Sequence, residues 1–340
     1  MLKIFDLSCE KEWREIIQSA YQHDFYHTYD YHQLAKQNRE GTPKLFVFDN
    51  GNEFVALPLI ERLIDKDQNL IDYTSVYGYV GPVYSREDLS EESLNGFKSE
   101  FENHMLQNNV VSVFSRLHPL IEQNFILENI GNIEQLNETV IIDLKLSLED
   151  QRKKYRKSNK SEINKLRRTI NCRIAETEEE LDKFVEIYTN NMKRVNASNK
   201  YFFDKDYFKR LLNARDFKSE LILAFENDKI MAGAIFIYTQ KIVQYHLAGT
   251  AEEYLHQTPM KLILDEVRLK STKECFDTFH LGGGVGSQQD SLFRFKSGFS
   301  DNYKQFNLWK YIVNDEVYNE LVAKRKNEIN DTSYFPLYRG

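Results

Sequence analysis

The sequence predicts two related α/β domains in tandem. Three observations carry that expectation: a length of 340 residues, an alternation of helix-like and strand-like runs along the whole chain, and a unit in the first half that recurs in the second. A chain this long exceeds what one hydrophobic core usually serves. The recurrence lies at the turns of two strand pairs, where Phe48-Asp49-Asn50 is matched by Phe225-Glu226-Asn227, 177 residues later and close to half the chain. Each pair follows a Tyr-rich helical segment, Tyr29 to Lys36 and Tyr201 to Leu212, so the order of elements repeats too. Repeated order at so long a period points to duplication.

Taken in order, residues 10–21 and 90–107 space apolar groups as helices do. KLFVFDNGNEFVALPLIERLI reads as a hairpin turned at Asn50-Gly51. Strand-like runs follow at Val110 to Phe114 and Thr139 to Leu144, then a basic helical stretch, then helices from Glu178 to Lys193 and Asp204 to Asn213. Leu221 to Tyr238 is again strand, Asn-Asp turn, strand. Beyond it come a strand at Lys241 to Gly249, a helix from Thr258 to Lys273, a strand at Phe276 to Leu281 and the run Gly282-Gly283-Gly284-Val285-Gly286. The chain ends with DSLFRFKSGF, a strand at Tyr303 to Val313, an amphipathic helix from Asp315 to Lys326 and an aromatic tail, Tyr334 to Tyr338, expected to pack.

Composition narrows the class. With 41% apolar and 29% charged residues and only 14 Gly and 6 Pro, the chain reads as folded, neither disordered nor collagen-like. Its longest apolar stretch, Ile230 to Tyr238, is about half of what a membrane span requires. The acidic start, with Asp6 and Glu10, does not read as a secretory signal, so a cytoplasmic address is expected. Three scattered cysteines, Cys9, Cys172 and Cys275, suggest reduced thiols. The net charge is −7, but Arg152 to Arg173 carries ten Lys/Arg against Glu162 alone, a +9 island in a remainder of −16. That island could meet tRNA phosphates with Tyr155 stacking on a base, lie against anionic lipid headgroups, or be a solvated helix.

The glycine run lacks the Lys-Ser/Thr of a phosphate-binding P-loop and the spacing of a dinucleotide fingerprint. Just beyond it, Phe293-Arg294-Phe295-Lys296-Ser297-Gly298-Phe299 alternates aromatic and cationic groups, a pattern that could hold a cation at the rim of an aromatic pocket to bind phosphate or stabilise an oxyanion. Asp290 and His280 flank the run and are candidate bases by position, with helix capping and a core hydrogen bond as the plainer readings. His23 and His27 have i,i+4 spacing with nothing to complete a metal site, and no serine-hydrolase elbow is present.

Several pieces in order resemble the Fem-type (FemAB/FemX-like) aminoacyltransferases that build peptidoglycan cross-bridges. They are Phe25-Tyr26-His27-Thr28 with Tyr31, Leu34 and Lys36; Gly78-Tyr79-Val80-Gly81-Pro82; Ser115-Arg116-Leu117-His118-Pro119; the basic stretch Arg152 to Arg168; Met192-Lys193-Arg194 before Tyr201-Phe202-Phe203; and Leu281-Gly282-Gly283 with Phe295-Lys296-Ser297-Gly298-Phe299. The resemblance spans about residues 20 to 325. It implies α/β (α+β) architecture with two tandem GNAT-like domains, the first formed by 1–140 plus a returning helix in 314–340, the second by 141–313.

The same resemblance implies an acyl- or aminoacyltransferase acting on an amine or hydroxyl of a cell-envelope glycan or peptidoglycan precursor held between the domains. It makes Lys296 the catalytic residue. Lys36, Arg194, Tyr201, Arg116, Gly283, Gly284 and Phe295 become substrate-binding candidates, Lys36 and Arg194 through acceptor phosphates. The donor would be aminoacyl-tRNA or an acyl thioester and the acceptor nucleotide- or lipid-linked, with no cofactor and with peripheral membrane contact as an option. Two departures stand out: there is no room for the long helical arm some family members use, and the acetyltransferase signature for the coenzyme A pyrophosphate is replaced by Gln257-Thr258-Pro259-Met260. A thioester-dependent N-acyltransferase of surface polysaccharide synthesis and a noncatalytic glycan- or lipid-binding module are the alternatives.

Overall fold

In the computed structural model, which describes residues 1–65, 69–284 and 288–340, the chain forms two compact units. Val285 and Gly286 of the glycine run lie outside the described residues. Unit 1 comprises Met1–Leu136 and Gln305–Gly340, and unit 2 comprises Asn137–Lys304. The chain therefore returns to unit 1 within its last strand, ahead of the boundary at 313 expected from the sequence.

The elements run β1 (Leu2–Phe5), α1 (Glu10–Ser19), α2 (Tyr29–Gln37), β2 (Thr42–Asp49), β3 (Phe54–Asp65), β4 (Leu70–Thr74), β5 (Val83–Tyr84), α3 (Glu91–Gln107), β6 (Val110–Arg116), α4 (Asn124–Leu127) and β7 (Asn132–Asp143). There follow α5 (Leu148–Lys153), α6 (Lys157–Leu166), β8 (Asn171–Ile174), α7 (Glu178–Arg194), α8 (Lys205–Leu212), β9 (Lys218–Glu226), β10 (Lys229–Thr239), β11 (Ile242–Thr250), α9 (Met260–Lys273), β12 (Thr278–Gly282), α10 (Ser291–Lys296), β13 (Asn302–Ile312) and α11 (Asp315–Lys324).

Within unit 1 the strands pair as β1, β2, β3, β4, β6, β13, antiparallel throughout except for β4 against β6. Unit 2 repeats the scheme as β8, β9, β10, β11, β12, β7, with β11 against β12 as the parallel pair. Helices fall in the same places, two α-helices between the first strand and the hairpin and one between the parallel strands. The sixth strand departs from chain order: β13 completes the sheet of unit 1, registering Leu308 on Arg116, while β7 completes that of unit 2, registering Asp143 on Thr278. Each unit thus takes its last strand from the other half of the sequence.

Local chemistry explains the turns. Asn227 and Asp228 both adopt positive φ, as a two-residue hairpin turn requires. Asn50 Oδ1 accepts the N–H groups of Asn52 and Glu53 in the other turn. In unit 1, Phe97, Phe101 and Met105 of α3 pack on Phe46, Leu57, Tyr73 and Trp309, while Trp13 and Ile17 of α1 cover the Leu45, Val47 and Ala56 face. In unit 2, Leu262, Ile263 and Val267 of α9 share one core with Ile163 of α6 and with Phe236, Phe279 and Leu281.

Two corrections concern the basic stretch. It is two helices, α5 and α6, broken at residues 154–156. Tyr155 is buried, its hydroxyl donating to Asp265 Oδ1 at 3.0 Å, and cannot stack on a base. The aromatic tail packs as expected: Tyr338 joins Tyr318, Leu321 and Val111 in a small core.

That tail is fixed by a buried carboxylate. Asp72, with no exposure, accepts from Arg62 Nε at 2.7 Å, Arg339 Nε at 2.6 Å and the Tyr338 hydroxyl at 3.0 Å. Removing one partner of a buried ionic group leaves the others uncompensated. Asp72→Asn is therefore expected to lower unfolding stability by roughly 3 kcal/mol, measured by urea unfolding, whereas Asp331→Asn in the exposed part of the tail is expected to change it little.

Candidate active site

In unit 2 the parallel ladder is short. β11 and β12 are in register only from Ile242 with Thr278 to Gln244 with His280, and β12 then shifts register against β7 between His280 and Gly282. The residues that follow on both strands, Tyr245 and Gly282–Gly284, are left to face what α10 supplies.

α10 supplies Lys296. Asp290 caps this helix by accepting the Phe293 N–H at 2.8 Å. Phe293 stacks on Tyr303 with ring centroids 5.9 Å apart, and Phe299 lies edge-on to Tyr155 at 5.2 Å. With the helix so anchored, Lys296 is only 7% exposed. Its Nζ donates to Gly283 O at 2.7 Å and sits 5.7 Å from the centroid of the Tyr245 ring. Gly282, at φ +79°, has no side chain to crowd that amine. A Cβ on Gly284 would collide with Gln288 O and the Asp290 carboxylate, so this glycine serves the turn rather than presenting a binding group.

No carboxylate forms an ion pair with Lys296 among the described residues. Burial pushes its pKa down to about 7, against a modest upward pull from Asp290. The amine is consequently poised to gain or lose a proton near neutrality. Desolvation raises the neighbouring Tyr245 phenol. His280 Nδ1 lies 2.6 Å from Gln244 Oε1, a buried bond that closes the ladder. Of the two candidate bases, then, Asp290 is a cap and His280 a core partner.

The remaining expected site residues lie elsewhere. Phe295 adjoins Lys296 and contacts Phe299 edge-on at 5.6 Å. Arg194 closes α7, exposed, with Nη2 on Asn191 Oδ1 at 2.6 Å, and the Tyr201 carbonyl accepts from the Tyr188 hydroxyl at 2.9 Å. Neither shares a hydrogen bond or ring contact with Lys296 among the described residues. Lys36 and Arg116 belong to unit 1: Lys36 is exposed at the end of α2, donating to Thr42 Oγ1 at 3.0 Å, and Arg116 ends β6, half-buried.

Unit 1 shows what happens at the place equivalent to the Lys296 site. There the chain after β4 stays on β6: Ser75 N donates to Phe114 O, Val80 N to Arg116 O, and Val80 bridges Leu117. Gln123 Nε2 donates to Val80 O at 2.7 Å, and His27 Nε2 lies 3.1 Å from the same oxygen. His118 Nε2 meets Asp24 Oδ2 at 3.0 Å, both side chains fully buried. Burial pushes His27 down to about 3, so it stays neutral. The Gly78–Pro82 and Arg116–Pro119 motifs thus build a hydrogen-bonded plug. Sequence reasoning missed Gln244, Tyr245 and Asp24, whose partners are remote in the chain.

This architecture places the molecule among known proteins. Residues 153–304 match the acetyltransferase (GNAT) domain family. No curated protein sequence matches the chain. The fold is that of two GNAT-like domains, and the family match falls on the second of them. Its arrangement is FemX-like: the crystal structure of FemX aligns with a TM-score of 0.71 at 13% identity, over 94% of this chain and 99% of FemX. A protein of unknown function from Bacteroides thetaiotaomicron aligns with a TM-score of 0.59 at 10% identity, over 92% of this chain and 100% of the other. The C-terminal domain of a protein assigned as a lysylphosphatidylglycerol synthetase from Agrobacterium fabrum aligns at 0.57 and 14% identity, over 94% and 97%. No helix among the described residues is long and apolar enough to cross a membrane.

Burial of Lys296 couples its proton to stability. An unfolded lysine titrates near 10.4, so between pH 7 and about 10 the unfolded chain binds the extra proton and stability rises with pH. Lys296→Met removes this dependence. Its stability advantage over the parent is expected to be largest below pH 7 and to shrink toward pH 10, read by urea unfolding across that range.

Proposed function

We propose that the protein transfers an acyl or aminoacyl group to an amine of a cell-envelope glycan or peptidoglycan precursor, and that Lys296 carries the reaction. The observation supporting this is the buried Lys296 amine, without a paired carboxylate among the described residues, held by Gly283 O beside the parted ends of β11 and β12. The kinship of the second unit with acetyltransferase domains agrees with such chemistry. The FemX-like fold and the synthetase named above supply the envelope setting of the proposal.

An amine attacking an activated carbonyl must lose a proton, and a base titrating near the working pH does this best. In its neutral form, Lys296 accepts the proton as the new C–N bond forms. The resulting ammonium, poorly solvated by the protein, stabilises the oxyanion and then returns the proton to the departing oxygen or sulfur as the C–O or C–S bond breaks. Lys296 ends neutral, with atoms and charge balanced. Lys36, Arg116, Arg194 and Tyr201 would hold the charged ends of acceptor and donor. The reaction would take place in the cytoplasm, at or near the inner face of the membrane.

Labelled aminoacyl-tRNA and acyl thioesters, each offered with nucleotide-linked acceptors and analysed for transferred mass, test the proposal. Transfer from either donor class identifies the donor. Tight acceptor binding without transfer from any donor would mean a binding module instead. With a competent pair, Lys296→Met is expected to lower turnover at least about tenfold with folding intact. The parent's rate should rise with pH through about 7, where Lys296 becomes a base. Lys296→Arg keeps the charge but cannot act as a base, so it should be as impaired as the methionine variant; near-normal turnover would reduce Lys296 to a fixed cation.

A further inference from the structure

The ten cations of the basic island are not equivalent in the fold. Arg152 and Arg167 converge on Asp265, Lys154 pairs with Asp301, Lys153 with Asp150 and Glu149, and Arg173 with Glu180. The island's one acid, Glu162, is turned to Thr258 and Lys261. Five cations are left without a carboxylate among the described residues. Arg156 and Lys160 donate only to the carbonyls of Arg294 and Lys153, which leaves their charge in place, and Lys157, Lys165 and Arg168 are exposed with no partner.

All five lie on α6 or the residues flanking it. Helical spacing puts Lys157, Lys160 and Lys165 on the outward side of α6, about 12 Å along its axis, with Arg168 in the turn that follows, while Asn159, Ile163 and Leu166 turn inward. The contact of Arg156 with Arg294, an exposed residue with no carboxylate partner among the described residues, carries positive charge on to α10.

We infer that this face of α6 docks the protein on an anionic membrane surface. Between its cations stand Ser158, Ser161 and Asn164, exposed and small, with no acid to repel phosphate and no ring to stack on a base. Tyr155, the aromatic residue of the segment, is consumed by the core. Single-stranded nucleic-acid surfaces interleave rings with cations; a headgroup layer asks only for a row of uncompensated positive charge. The remainder of the protein is strongly acidic and is repelled by such a layer, so attraction confined to one helix would also orient the molecule. The range of that attraction is about 10 Å at moderate salt, enough for a single helix face.

The test is sedimentation of the full-length protein with vesicles containing phosphatidylglycerol and with vesicles of phosphatidylcholine alone. The parent should bind the former and not the latter, with release as salt is raised. Lys157→Gln, Lys160→Gln, Lys165→Gln and Arg168→Gln, combined stepwise, should weaken binding about five-fold for each charge removed, while the thermal unfolding midpoint and the far-UV spectrum stay those of the parent. A charge-neutral change on another helix, Lys11→Gln with Glu15→Gln, should leave binding unaltered. Equal sedimentation with both vesicle types, no sedimentation with either, or binding of total tRNA lost in the same variants while vesicles are ignored would each overturn the inference.

Discussion

A sheet needs both edges of each interior strand satisfied, and in this protein that requirement is met across the length of the chain. β6 and β12 each have a parallel neighbour on one side, and on the other an unpaired row of N–H and C=O groups that would invite association if left open. β13 closes the first and β7 the second, so neither unit is complete from a contiguous half of the sequence. The exchange fixes much else. α11 and the tail follow β13 into unit 1, where Arg339 and Tyr338 meet Asp72. α10 lies between β12 and β13, and its anchorage through Phe293 to Tyr303 comes from the strand that closes the exchange.

The two units then use one topology in opposite ways. In unit 1 the chain beyond the parallel pair is stitched to β6 and sealed with His27, His118, Asp24 and Gln123, polar groups that satisfy one another and keep the interior closed. In unit 2 the same position is occupied by an amine whose one acceptor among the described residues is the Gly283 carbonyl. Burying a charge without an opposite charge is unfavourable, and the group responds with a lowered pKa. A chain that keeps such a residue inside a well-packed helix end forgoes stability, the compromise typical of a functional position.

Charge behaves similarly. Summed along the sequence, residues 152–173 look like a uniform basic patch. In space, half of the cations pair with carboxylates, and two of them serve the interior: Asp265 gathers Arg152, Arg167, Arg268 and Tyr155 where α5, α6 and α9 meet. The other half face outward along α6.

Much of the fold is legible in the sequence, because local rules suffice for it. The hairpins at Asn50-Gly51 and Asn227-Asp228, the helices α1, α3, α7 and α9, and the duplication of two α/β units follow from turn chemistry and periodicity. The short strands β1, β4, β5 and β8 did not, since two to five residues offer too few alternations and their pairing comes from distant partners. For the candidate site, the motif around Lys296 drew attention to a residue that the fold buries, and Phe295, Gly283 and Gly284 adjoin it, but its burial, its carbonyl partner and the contrast with the sealed unit 1 depend on strands parting after Gln244 and His280. By itself, then, the sequence determined the hairpins, the longer helices and that the architecture is doubled. Tertiary structure alone decided which strand completes which sheet and which cations have their charge compensated by a carboxylate, because edge pairing and ion pairing are set by groups that meet only after the chain has folded.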